Sequence, residues 1–242
     1  NLVTVTDTLQ SNEYGGGSTT FDLIIGGDIT NNGVIQNINS GDKLKLLVQG
    51  NIINNGEWNH SFTVLTGSGN HNLSQTVSHS FGGDFSDTDP SGMTVALTDL
   101  TFTGNYNLGT GWLEMGGHVL TMSGWLTNGT IASTILRGGF LENLTSEGEL
   151  TIEGKVTCSN GNHFWDNITI SDTLQSIDYG GGSTWFDLYI DGNITNNGVM
   201  MNINSGDMLR TYISGNIANH GEWLHSATVL NGTMEQLMAQ NE

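Results

Sequence analysis

The phrase Gly-x-Ile-x-Asn-Asn-Gly occurs at residues 27–33 and again at 50–56, and it returns as GNITNNG at 192–198 and GNIANHG at 215–221. The step from 27 to 50 equals the step from 192 to 215, and the strands beside the phrase keep that offset: Leu23-Ile24-Ile25 aligns with Leu46-Leu47-Val48, and Leu188-Tyr189-Ile190 with Thr211-Tyr212-Ile213. A second, longer repeat is superposed on the first. DTLQS-x-x-YGGGST-x-FDL begins at Asp7 and returns at Asp172, and the alignment runs without a gap to Leu65 and Leu230. The duplicated block covers 6–67 and 171–232. A period of about 20 residues marks a solenoid, in which no unit buries its apolar face alone and stacked neighbours enclose a shared core.

The kind of solenoid follows from composition. Among 242 residues there are 35 Gly and one Pro, and only 12% are charged. Short β-branched and aromatic runs separated by Gly and Asn read as strands joined by tight turns. The one run with helix-forming composition is Met234–Gln240. Strand-then-Gly units LTFTG, LTMSG and LTIEG fill the middle at irregular steps. The expected fold is all-β: one right-handed parallel β-helix (β-solenoid) over 1–242, with rungs of about 18–30 residues.

Alternation assigns the faces, because side chains two apart on a strand share one side. Leu44, Leu46 and Val48 are expected inside with Lys45 outside; Val3 and Val5 form the inward pair at the start, matched by Ile168 and Ile170. The Asn-Asn-Gly corner suits residues that tolerate left-handed backbone. On successive rungs Asn31 should meet Asn54, and Asn196 should meet Asn219, as amide ladders. The same offset sets Asp22 against Lys45 and Asp187 against Arg210, two acid–base pairs that mark the register.

Five basic residues face 24 acidic ones, a formal charge of −19. Nucleic acids and other anionic polymers or surfaces are therefore disfavoured partners. Cys158 is the single cysteine, which rules out an intrachain disulfide framework. No stretch of about 20 apolar residues offers a membrane span. The lack of an initiating Met and of a signal pattern suggests a mature protein or an excerpt of a longer one.

Candidate chemistry is sparse. Carboxylates Asp22, Asp42, Glu57 and their copies Asp187, Asp207, Glu222 sit on neighbouring rungs, but glycosidase chemistry needs two of them across one site. Asp42 and Asp207 follow Ser-Gly and read as turn residues. Trp58-x-His60 and Trp223-x-His225 put an aromatic and an imidazole on one side of a strand, fit for packing at a corner or for stacking on a sugar. Gly82–Gly92 contains the one Pro and three acids, Asp84, Asp87 and Asp89; it reads as a protruding loop, either merely solvated or holding Ca2+. Glycine runs Gly15–Gly17 and Gly180–Gly182 are turns, since no Lys or helix start follows them.

The strand-G-x-I-x-N-x-G phrases resemble the coils of filamentous-haemagglutinin-like adhesins. TVLTGSGNHNLSQ (63–75), LTFTG and LTMSG resemble the repetitive surface proteins that Bacteroidota export by the type IX system. The resemblance implies an extracellular or cell-surface β-solenoid without enzymatic activity, acting as stalk, fibre or adhesin segment. Its implied partners are itself or adjacent repeats, end to end, and surface glycans or cell-surface proteins. It also implies O-glycosylation at Asp7-Thr8-Leu9 and Asp172-Thr173-Leu174. The alternative is a carbohydrate-binding or carbohydrate-cleaving β-helix, with Glu57, Trp58 and His60 lining its groove.

Overall fold

The computed structural model describes residues 1–15, 18–89 and 92–240. Its strands are paired in parallel throughout, in sheets of 18, 11 and 3 strands, and no helix occurs among the described residues. The chain winds through three faces in turn, so each strand lies beside the one a coil earlier. Coil 1 comprises Leu2–Val5 on the first face, Thr8–Gln10 on the second and Thr19–Ile25 on the third. Coil 2 stacks Asp28–Asn31, Val34–Gln36 and Asp42–Val48 on them in the same order. Eleven such steps along the first face give twelve coils, ending with Ala227–Leu230 and Met238–Gln240. This is the parallel β-solenoid expected from the repeats.

Coil length varies along the axis. A short coil carries Leu126 to its register partner Leu141, and a long one carries Leu174 to Met200. The shortest coils fall below the expected range, and none reaches its upper end. These short coils have dispensed with a corner. Thr130–Arg137 passes from the first face to the second as one bent strand, its first half paired with Trp112–Glu114 and its second with Val119–Met122. The bend falls at Ser133, with φ 49°, where the register with the next coil also shifts. Such bridging strands merge two faces into the 18-stranded sheet.

Alternation places the core as the sequence suggests. Asp42–Val48 buries every second residue, including Leu44, Leu46 and Val48, and leaves Lys45 outside. Ile168 and Ile170 are buried. Val5 is buried, whereas Val3 is 38% exposed because coil 1 has no described coil beneath it. Where coils 3 to 5 meet, Trp58, Phe81, Phe85, Phe102 and Tyr106 fill the interior edge-on and stacked, with centroids 4.8–5.6 Å apart. Met234–Gln240 is not helical: Met238–Gln240 pairs with Ile217–Asn219. That pairing repeats the register of Leu73–Gln75 on Ile52–Asn54, so the outer edge of the core overrides local propensity.

The duplicated blocks do not point the same way. Eight coils lead from Leu2–Val5 to Asn162–Phe164 along the first face, and the counterpart of Leu2–Val5, Ile168–Ile170, comes one face later. The long strands Thr19–Ile25 and Asp42–Val48 build the third face. Their counterparts Thr184–Ile190 and Asp207–Ile213 build the first. The long repeat is thus eight coils plus one face, and equivalent surfaces are turned about a third of the way around the axis.

Candidate functional site

The corner asparagines lie inside. Asn31 Nδ2 donates to Asn54 Oδ1 at 3.0 Å and to the Glu57 carbonyl at 2.9 Å, while its Oδ1 accepts the Gly33 amide at 3.1 Å. Asn196 and Asn219 repeat the contact at 2.7 Å. The adjacent Asn55 and Asn32 form a second, exposed rung-to-rung bond of 3.0 Å. The glycines of the phrase serve a different end from the left-handed turn expected of them. None of Gly33, Gly56, Gly198 and Gly221 has a positive φ. A Cβ at Gly33 would instead collide with the Asp7 carbonyl of the coil beneath, and one at Gly56 with that of Gly33. The requirement is close approach of backbones, not backbone handedness.

Both acid–base pairs fall on adjacent coils at matching register. Asp187 accepts two bonds from Arg210, each 2.8 Å, and the guanidinium also lies 5.3 Å from the rings of Trp185 and Tyr212. The hydrogen bond to Asp187 raises the Arg210 pKa further. Asp22 and Lys45 are register neighbours without an ion pair among the described residues. Lys lacks the planar fork that lets Arg grip a carboxylate across one strand spacing.

Up to Asp89 the acidic segment is not a protruding loop. Asp84–Asp87 is a strand of the third face, paired with Phe62–Leu65 below and Tyr106–Asn107 above; Pro90 and Ser91 lie outside the described residues. With Phe85 pointing in, Asp84 points out, and the strand then turns Asp87 inward. Asp87 accepts the Asp89 amide and the Thr94 hydroxyl, each at 2.9 Å, and burial raises its pKa. Asp89 is buried and accepts the Gly69 amide at 2.8 Å. The three carboxylates expected to share Ca2+ therefore do not converge, and among the described residues no group of three or more His, Cys, Asp or Glu side chains is disposed to hold a metal.

The Trp-x-His pair is also internal. Trp58 and His60 are 0% and 2% exposed, with Glu57 outside, so this trio cannot line a groove. Trp58 Nε1 donates to Thr63 Oγ1 at 3.0 Å, and that hydroxyl lies 2.9 Å from His60 Nε2. Indole nitrogen only donates, so the hydroxyl accepts from it and retains its own proton to offer a neutral Nε2. Burial accordingly lowers His60 to about 4, and the repeated trio Trp223, Thr228, His225 shows the same arrangement with the same lowering. Asp42 and Asp207 are not turn residues but the buried first residues of Asp42–Val48 and Asp207–Ile213, each accepting from an Asn side chain three residues earlier and from the Tyr14 or Tyr179 amide. Cys158 is buried, and its thiol is pushed up to about 12.

What the outside offers is a trench along the third face. It has a volume of about 960 Å3 and runs from Thr20 in coil 1 to Glu142 in coil 7. Six coil steps at the ordinary strand spacing make it about 30 Å long. Its charged groups are Asp22, Lys45, Asp84 and Glu142, and its rings are Phe62 and Trp125. Between them Asn105 Nδ2 donates to Asp84 Oδ1 at 3.0 Å, and Asn105 Oδ1 accepts the Trp125 amide at 2.9 Å. Asn107 accepts from Asn128 at 2.9 Å. Trp125 packs on Phe140 of the next coil with centroids 5.3 Å apart. Sequence reasoning missed this surface because each coil contributes one or two outward residues without a shared motif. Alternation around Phe85, Tyr106 and Leu126 is the signal that marks them as outward.

The first face carries a contrasting array on the second block. Tyr189 and Tyr212 stack at 4.8 Å, and His163 lies between Trp165 and Tyr189 while bonding Asp191 at 2.8 Å. Of the two threonines in the Asp-Thr-Leu sites, Thr8 is exposed and Thr173 is half-buried. No family model, curated protein or solved structure matches the chain.

Proposed function

We propose that this chain is an extracellular or cell-surface structural module, a stalk, fibre or adhesin segment whose coils supply stiffness and whose faces supply contacts. The observation that carries the reading is that the duplicated block repeats coil for coil, and that just beyond it Met238–Gln240 still takes the register of Leu73–Gln75. A block that repeats its stacking rather than a constellation of reactive groups is selected for shape. The inward groups support this: the Trp-x-His trios, the amide ladders and Asp42 and Asp207 are all engaged in packing or corners. Inward apolar side chains left exposed on the two terminal coils, Val3 at 38% and Met238 at 65%, suit continuation onto further coils of the same kind, in the chain or in a second copy.

Two measurements test the reading together. Antibody labelling of intact cells should detect the chain at the surface, and negative-stain microscopy of the purified chain should show rods about 5 nm long or end-to-end multiples of them. Exclusive intracellular location would overturn it. The groove expected of Glu57, Trp58 and His60 does not form, since Trp58 and His60 are interior while Glu57 is outside; a carbohydrate-binding alternative keeps the trench.

A further inference from the structure

We propose that the trench on the third face binds an uncharged polysaccharide chain lying along the solenoid axis. The surface reading above would stand with an empty trench, so the two fail separately. Shape argues first: a small-molecule site encloses its ligand, whereas this trench is open and about 30 Å long, matching an extended polymer.

Charge then removes most polymers. Asp22, Asp84 and Glu142 oppose Lys45 in the lining, with the Lys43 ammonium 5.7 Å from the Phe62 ring centroid, in a chain of net charge −19. Nucleic acids and uronate polymers would meet repulsion along the whole length. A peptide is disfavoured by the floor. From Asp42–Val48 onward each strand of the floor is paired on both sides within the 11-stranded sheet; only the end strand Thr19–Ile25 has an open edge, so an added strand could not run along the trench. A neutral sugar chain asks for what is present: rings (Phe62, Trp125) for its C–H faces, and carboxylate and amide groups (Asp84, Asn105) for its hydroxyls. Those polar groups are held by bonds to one another across coils, so little ordering remains to be done on binding.

The duplication adds an internal comparison. Phe21, Leu23, Ile25 and Leu44, all inward or core-side, return unchanged as Phe186, Leu188, Ile190 and Leu209. Outward Thr20, Ile24 and Leu47 become Trp185, Tyr189 and Tyr212. Inward positions of these long strands change at Leu46 and Val48, which become Thr211 and Ile213, whereas the outward changes add three large rings. Because the second block is turned by one face, the Trp185 array points away from the trench and serves as a control.

The test is affinity electrophoresis of the whole chain in gels carrying mixed-linkage β-glucan, xyloglucan, galactomannan or starch, with polygalacturonate as the anionic comparison. At least one neutral polymer should retard the native chain, and polygalacturonate should not. Trp125→Ala, which removes a ring, and Ser86→Trp, which fills the trench without removing a lining charge or amide, should each weaken retardation at least about tenfold. Trp185→Ala should leave it unchanged, and circular dichroism should show all three variants folded. The proposal is overturned if no neutral polymer retards the native chain, if polygalacturonate is preferred, if folded Trp125→Ala and Ser86→Trp both bind normally, or if Trp185→Ala abolishes binding.

Discussion

Replacing Asn54 by Ala tests how much of the solenoid is held by its internal amide ladder. Asn54 Oδ1 accepts from Asn31 Nδ2 at 3.0 Å and from the Gly56 amide at 3.3 Å, both in buried surroundings. Its Nδ2 donates to the Ser80 carbonyl at 3.1 Å, where burial is partial. Asn31 Nδ2 keeps one acceptor after the change, the Glu57 carbonyl. The Gly56 amide keeps none from this side chain, and water cannot easily replace it beneath the next coil. Two buried bonds lost at roughly 1–2 kcal/mol each, with a smaller contribution from Ser80, place the cost at about 2–4 kcal/mol. Solenoid coils touch only their neighbours, so the loss should be local. Hydrogen exchange read by mass spectrometry is the suitable assay, and amides of residues 42–65 should exchange about 30- to 1,000-fold faster. The control lies one residue along. Asn55→Ala removes the same amide-to-amide contact on the exposed side of the corner and should change exchange by less than about threefold. Equal effects from the two substitutions, or an effect of Asn54→Ala below threefold, would refute the argument that burial gives the ladder its value.

The remaining expectations concern spacing and pH. Gly56→Ala should separate coils 2 and 3 and lower stability by about 1–3 kcal/mol or more, because its methyl would meet the Gly33 backbone. Gly26→Ala, whose Cβ would have only Gln49 Oε1 at 3.6 Å, should be nearly silent in the same thermal melts. His60 titrates near 6.5 when unfolded and at about 4 when folded, so the unfolded chain holds the extra proton between those values. Its neutral burial therefore contributes fully above about pH 6.5 and is lost as pH falls to about 4, roughly 3 kcal/mol in all. Urea titrations of native and His60→Gln chains across that window should converge as pH drops; parallel curves would show that the imidazole stays neutral in both states or charged in both.

Several features were readable because a solenoid converts sequence offset into spatial neighbourhood. Once the step from one Asn-Asn-Gly phrase to the next equals one coil, Asn31 must lie against Asn54 and Asp22 against Lys45, with no distant fold to intervene. Inside and outside were readable from period-two alternation, as at Leu44, Leu46 and Val48. Trp58 and His60 were ambiguous by the same logic: alternation puts both on one side of a strand but does not say which side. Asp84–Asp87 was obscured by its composition. Acids beside Gly and Pro look like a loop, yet pairing with two complete neighbouring strands outweighs weak local preference.

By itself, then, the sequence determined the period, the parallel stacking, the amide ladders and the scarcity of chemistry, all of which depend on contacts one coil apart. The tertiary structure decided what depends on the sum of many coils. Individual coils differ in length, as the steps from Leu126 to Leu141 and from Leu174 to Met200 show, and only their accumulated total turns the second block by one face. The same accumulation aligns Asp22, Phe62, Asp84, Asn105 and Trp125 into one trench from five separate coils. It also decides why the phrase needs its glycines, since the collision that excludes a side chain at Gly56 is with the Gly33 backbone of the coil beneath.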